Sequence, residues 1–203
     1  PLPWQRFASV PRFVELLVVA DETMVRFHGE GLRPYLLTVL ATAARAFGHG
    51  SLANAVELRV KRLLVLGEGA PGPPRTPNAA QMLRSFCQWQ RGLNDPDEDS
   101  PQHFDTAILF TRQVGGLGGS PGGDIGGWKG PGGVSMGRWK GPGGLWHVFN
   151  MLHDTSPPCR QLNGHHGATR RVMAPVLAAL DPGEMWSPCS ARFITDFLDN
   201  GHG

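Results

Sequence analysis

Apolar residues run almost without interruption from Arg12 to Ala20 (RFVELLVVA) and stop at Asp21, a pattern that predicts a buried strand inside a sheet. From Leu32 to Phe47 the period changes. Leu36, Val39, Leu40, Ala43 and Phe47 recur at helical spacing before Gly48 and Gly50, which predicts a helix packed on that sheet. Val56 to Gly67 alternates and then runs apolar through Val60, Leu63 and Val65, a second strand, and the Pro/Gly cluster over 70–77 is a loop. Asn78 opens a second helix that runs to Leu93 with Met82, Phe86 and Trp89 on one face. An acidic loop, DPDEDS, separates it from a third strand at Asp105 to Thr111. Strand, helix, strand, helix, strand predicts an α/β layer with a mixed, mostly parallel sheet.

At Val114 this alternation ends. Fifteen of the thirty residues from Gly115 to Gly144 are glycine, and GGWKGPGG at 126–133 returns as GRWKGPGG at 137–144. Glycine loses more backbone entropy on ordering than any other residue, and few apolar side chains here offset that loss. The segment over 114–145 therefore reads as a disordered low-complexity insert, and its glycines do not keep the three-residue period of collagen. Its two Trp-Lys pairs offer too little surface to bind nucleic acid. Beyond it, His147 to His153 is expected to continue as helix and turn, and Thr155 to Arg171 as a polar loop. Val172 to Pro175 should form a tight turn, and Ser190 to Leu198 a final core helix with Phe193, Phe197 and Leu198 on its inner side.

Composition narrows the classes. A chain of 203 residues with 40% apolar content can build a core, while a net charge of +2 gives no polybasic footprint for nucleic acid or an anionic membrane. No apolar run is long enough for a membrane span. The chain opens on Pro1, which reads as a piece of something longer or a mature form. Three cysteines, Cys87, Cys159 and Cys189, are too few for a disulfide-stapled miniprotein, and the odd count leaves one without a partner.

The chemistry-bearing stretch is LWHVFNMLHD, residues 145–154. In the zinc motif H-E-x-x-H-x-x-x-x-x-H, two histidines one helical turn apart and a third beyond a turn give three nitrogen ligands, with the glutamate as general base. His147 and His153 hold the second and third ligand positions; the first histidine position is Gly143 and the glutamate position is Gly144. Together with Arg12 to Asp21, SFCQWQRGLN (85–94), DTAILFTRQ (105–113) and WSPCSARFITDFLDNG (186–201), this stretch closely resembles the metalloprotease domain of the ADAMTS family, aggrecanase branch. The likeness covers nearly the whole chain apart from residues 114–145 and the first five.

The resemblance implies a metzincin-like zinc protease domain of mixed α/β fold across residues 1–203, incomplete because the insert replaces an edge strand and the start of the active-site helix. It implies secretion into the extracellular matrix, proteoglycan substrates, and membership of a longer multidomain chain. His147 and His153 are carried over as zinc ligands and Met173 as the methionine of the turn beneath the metal. Glu15 and Asp105, with Glu98 of the acidic loop, correspond to calcium ligands. Cys159 and Cys189 correspond to a family disulfide, and Cys87 to a cysteine whose partner lies in the replaced segment. His165, His166 and His202 are poor substitutes for the missing ligand, being in a loop or near the chain end. With neither the first histidine nor the glutamate, catalysis should fall to background. The alternative is a pseudoprotease acting as a matrix-binding or decoy module. The abrupt edges at Gln113 and Leu145 read as one replaced segment, since drift would scatter changes, and the tandem repeat resembles translated guanine-rich noncoding DNA.

Overall fold

The computed structural model describes residues 12–54, 56–76, 78–112, 134–137, 149, 151–164, 171–174 and 180–200. Two compact units are present, one of residues 15–39 and 59–148 and the other of residues 1–14, 40–58 and 149–203.

The first unit is built on a sheet of order β2-β1-β3-β4, with β1 at Arg12–Ala20, β2 at Val56–Val65, β3 at Thr106–Phe110 and β4 at Val134–Gly137. Strand β3 runs parallel to β1, from Leu16 opposite Thr106 to Ala20 opposite Phe110. All five residues of β3 and the last five of β1 are buried, as expected for parallel strands covered on both faces. Helix α3 (Ala79–Arg91) lays Met82, Leu83 and Phe86 against Leu17, Val19, Ala107 and Leu109, alternate positions that share one face of the sheet. Each such side chain contributes roughly 1.5–3 kcal/mol on leaving water. Asn78 caps the helix, its Oδ1 accepting from the Gln81 amide at 3.1 Å. The acidic loop is closed by a reciprocal pair in which Asn94 exchanges two 2.9 Å hydrogen bonds with the backbone of Phe104.

Two features of this unit go beyond the sequence pattern. Helix α1 (Glu22–His28) follows β1 directly, started by the buried Asp21, whose carboxylate accepts from the Met24 amide and from the hydroxyls of Thr23 and Thr111. Strand β4 falls inside the glycine-rich tract and pairs parallel with β3, Ala107 opposite Val134 through Phe110 opposite Gly137. Val134 to Met136 is the tract's one stretch with β-prone apolar residues, which is why composition alone gave it no element. The remainder of the insert lies outside the described residues.

The second unit packs the later turns of helix α2 (Leu32–Phe47) with α4 (Pro157–Asn163) and α5 (Pro188–Asp199). Trp186 is its anchor: 2% exposed, it donates Nε1–H to the Ala46 carbonyl at 2.7 Å and lies beside Phe47. Phe149 joins the cluster edge-on to both Phe47 and Phe197. Ser187 caps α5, accepting from the Ser190 amide at 3.0 Å. Helix α4 corrects the reading of Thr155 to Arg171 as a polar loop. Ser156 at the N-cap followed by Pro157 is a helix start, and Cys159 and Asn163, four apart, turn one face inward. Met151 to His153 carry no helix, while His147 lies outside the described residues.

Candidate metal centre

His153 sits where two turns of the second unit meet. One turn is closed by the Ser156 amide donating to the His153 carbonyl at 2.9 Å, the other by the Ala174 amide donating to the Arg171 carbonyl at 3.0 Å. They are joined through the Met173 carbonyl, which accepts from the Asp154 amide at 2.9 Å and lies 3.3 Å from His153 Nδ1. A proton on Nδ1 satisfies that carbonyl and leaves the ring's lone pair on Nε2, the tautomer that ligates metals. Met173 itself is 2% exposed, so its side chain is buried. The Val172 amide donates to Met185, and the buried Cys159–Cys189 disulfide ties α4 to α5 behind the turn.

The next residue carries the polar core of this corner. Asp154 is buried and accepts from Asn163 Nδ2 at 3.2 Å, and Asn163 Oδ1 accepts from the Cys189 amide at 3.0 Å. Burial pushes the Asp154 carboxyl above the usual carboxylate range, against the pull of hydrogen bonds from Ser187 and Asn163 and of the Arg171 charge. Asp154, Asn163, Arg171 and Ser187 were not singled out by sequence reasoning. A polar residue buried by a turn has no periodicity, and the Asp beside His153 was the one available sign.

The calcium candidates belong to the first unit. Asp105 Oδ2 accepts from the Glu15 amide at 2.7 Å, and the Glu15 carboxylate pairs with Lys61 Nζ at 2.9 Å. His103 approaches Asp105 Oδ1 at 3.4 Å, and its imidazole pKa is raised, first by the Asp95 carbonyl on Nδ1 and then by Asp105 and Glu15. Glu15 and Asp105 are thus brought together, while Glu98 is exposed in the acidic loop. Among the described residues no three His, Cys, Asp or Glu side chains form a metal-holding group. Gly143, Gly144, His147, His165, His166 and His202 lie outside them. Nor is any described helix long and apolar enough to cross a membrane.

The first unit is thus a parallel sheet flanked by helices, and the second holds His153 against the backbone of the turn that contains Met173. No family model matches the chain. It is 56% identical over 211 residues to the mouse (Mus musculus) protein "A disintegrin and metalloproteinase with thrombospondin motifs 4", covering 98% of this chain and 25% of that protein. The human (Homo sapiens) counterpart is 55% identical over the same shares, and mouse "A disintegrin and metalloproteinase with thrombospondin motifs 1" is 45% identical over 98% of this chain and 22% of its own length. The chain belongs to the ADAMTS family, as a metalloprotease domain of its aggrecanase branch. It spans about a quarter of the length of the curated relatives it matches.

The zinc implied by the family can be tested against the donor set. Of the two motif histidines, His153 has its Nδ1 3.3 Å from the Met173 carbonyl, while His147 lies outside the described residues. Among the described residues, the three protein ligands that a catalytic zinc site uses are not assembled.

Proposed function

We propose that this chain is the catalytic domain of a secreted zinc metalloendopeptidase directed at extracellular-matrix proteoglycans, in a form that is catalytically inactive. The observation that carries this reading is Gly143 and Gly144 at the His-Glu positions of an otherwise extended family match. Glycine has neither a metal-binding atom nor a proton acceptor on its side chain, so the general base is lost together with a ligand. Within the insert over 114–145, strand β4 occupies the sheet edge and runs parallel to β3, where the resemblance expects the strand along which an extended substrate would pair. His147 and His153 remain as the partial zinc set over Met173, and Glu15, Asp105 and Glu98 as calcium candidates.

The alternative is a pseudoprotease that binds matrix without cutting it. The intact Met-turn corner, with its disulfide and its His153–Met173 contact, favours a folded remnant capable of such a role. The purified chain, incubated with aggrecan-type proteoglycan and zinc, should yield no cleavage fragments, and atomic spectroscopy should find well under one zinc per chain. Cleavage that a zinc chelator abolishes would overturn the inactive assignment. Retention on immobilised proteoglycan without cleavage would select the binding module.

A further inference from the structure

Residues 181–186 follow the Met-turn in the chain and are held from two sides. On the side of the turn, the Val172 amide donates to the Met185 carbonyl at 2.9 Å, and Arg171 Nη2 donates to the Glu184 carboxylate. On the side of helix α2, the Trp186 amide donates to Ser51 Oγ at 2.9 Å and Trp186 Nε1 to the Ala46 carbonyl at 2.7 Å. A third tie on that side is the half-buried His49, whose Nε2 lies 3.0 Å from the Pro182 carbonyl. His49 comes just after α2 and is the extended N-cap residue of the short 3-10 helix Gly50–Leu52. Its Nδ1 accepts from the Ser51 amide at 3.2 Å and lies 2.7 Å from Ser51 Oγ.

We propose that His49 is a clasp: an imidazole fixed in the Nε2–H tautomer that fastens residues 181–186 to the end of α2 and through them steadies the Met-turn. Two bonds choose the tautomer independently. A carbonyl oxygen can only accept, so the bond to Pro182 needs the proton on Nε2, and a backbone amide can only donate, so the bond from Ser51 needs a bare Nδ1. One ring form meets both demands. Ser51 extends the arrangement, its Oγ accepting from the Trp186 amide and turning its own proton to Nδ1. The same side chain therefore caps the 3-10 helix with one nitrogen and holds a carbonyl 133 residues away with the other. Because the segment's remaining anchors are Val172 and Arg171 of the Met-turn, slack at Pro182 passes on to that turn.

Long-range proton–nitrogen correlation spectra of the full chain read the tautomer directly, His49 being the one of the eight histidines whose ring signals vanish in His49→Asn. The expected spectrum has a protonated Nε2 and a bare Nδ1. The opposite tautomer, or an even mixture, would overturn the proposal. Hydrogen exchange then separates the clasp from the cap. Asparagine is a good N-cap residue but too short to reach Pro182, so His49→Asn should leave the Ser51 amide protected. Exchange at Val172, Gly183 and Trp186 should meanwhile speed up by roughly threefold or more, the scale of one net hydrogen bond. His49→Ala, which loses cap and clasp together, should speed up exchange at all four amides. Unchanged exchange at Val172, Gly183 and Trp186 in a folded His49→Asn variant counts against the clasp. Should neither variant fold, the tautomer of the parent chain decides, with the His49 ring assigned through its own backbone signals.

Discussion

At the scale of single residues, Trp186 and Cys87 respond to burial in opposite ways. Trp186 fills the centre of the second unit and satisfies its one polar atom on the Ala46 carbonyl, so burial costs it nothing unpaired. Trp186→Ala should lower stability by about 3–5 kcal/mol, the range for removing a large aromatic from a core, with Trp186→Phe costing less than half of that. Urea denaturation midpoints of the two variants check this, and equal midpoints would mean the ring is not a packing anchor. Cys87 is the free thiol, half-buried against the α3 face of the sheet. Burial raises its pKa above the ordinary 9.0, with the Arg91 charge pulling weakly downward. The stability tied to the neutral thiol is therefore complete below the unfolded value and is lost as pH climbs through the raised folded value. Because the thiolate is the nucleophile, alkylation of Cys87 at mildly alkaline pH should be several-fold slower in the folded chain than in urea. Mass spectrometry of timed iodoacetamide reactions measures it, and equal rates would place the thiol in solvent.

At the scale of elements, what decides legibility is whether an element's stability comes from its own face or from its ends. Helix α3 shows both. Its inner face was readable from Met82, Phe86 and Trp89, and its start from Asn78, whose side chain does cap Gln81. Asn78→Ala should destabilise the chain by about 1 kcal/mol, and Asn78→Asp or Asn78→Ser should restore most of it, since either supplies the same acceptor. Thermal melts that show no difference between Ala and Ser at this position would remove the cap from the account. Strands β1 and β3 and helices α2 and α5 were legible for the same reason as the face of α3: each repeats apolar residues at its own period over many positions. Helices α1 and α4 were not, because seven residues span barely two turns and show too little periodicity. Their definition comes from end effects, the buried Asp21 cap and the Ser156-Pro157 start, which look like loop chemistry in a bare sequence. The candidate site divides in the same manner. His153 and Met173 belonged to a motif with fixed spacing, whereas Asp154, Asn163, Arg171 and Ser187 are brought together by turns that only folding creates.

At the scale of the whole molecule, the proposed defect is segmental and its repair should be too. The match to the mouse relative extends over 98% of the chain at more than half identity, and the glycine-rich tract lies between the family-like stretches that end at Gln113 and begin at Leu145. Placing only Gly143→His and Gly144→Glu into this background supplies the two side chains in a sequence context that disfavours helix. The neighbouring glycines cost about 1 kcal/mol each in a helix interior relative to alanine, and Pro142 interrupts helical hydrogen bonding just upstream. Catalysis requires ligand and base to be held within a fraction of an ångström of their working positions, so side chains in a sequence this unfavourable to helix should contribute little. The double substitution should therefore leave peptide hydrolysis within about tenfold of background, a margin under 1.4 kcal/mol in barrier. Exchanging residues 114–145 for the corresponding segment of the mouse relative should raise it by several orders of magnitude, because helix, base and first ligand would be supplied together. Both variants can be read on one fluorogenic peptide with zinc content measured in parallel. Full activity from the double substitution alone would mean the tract already forms the helix, and a zinc-loaded but inactive exchange variant would move the defect to the remainder of the chain.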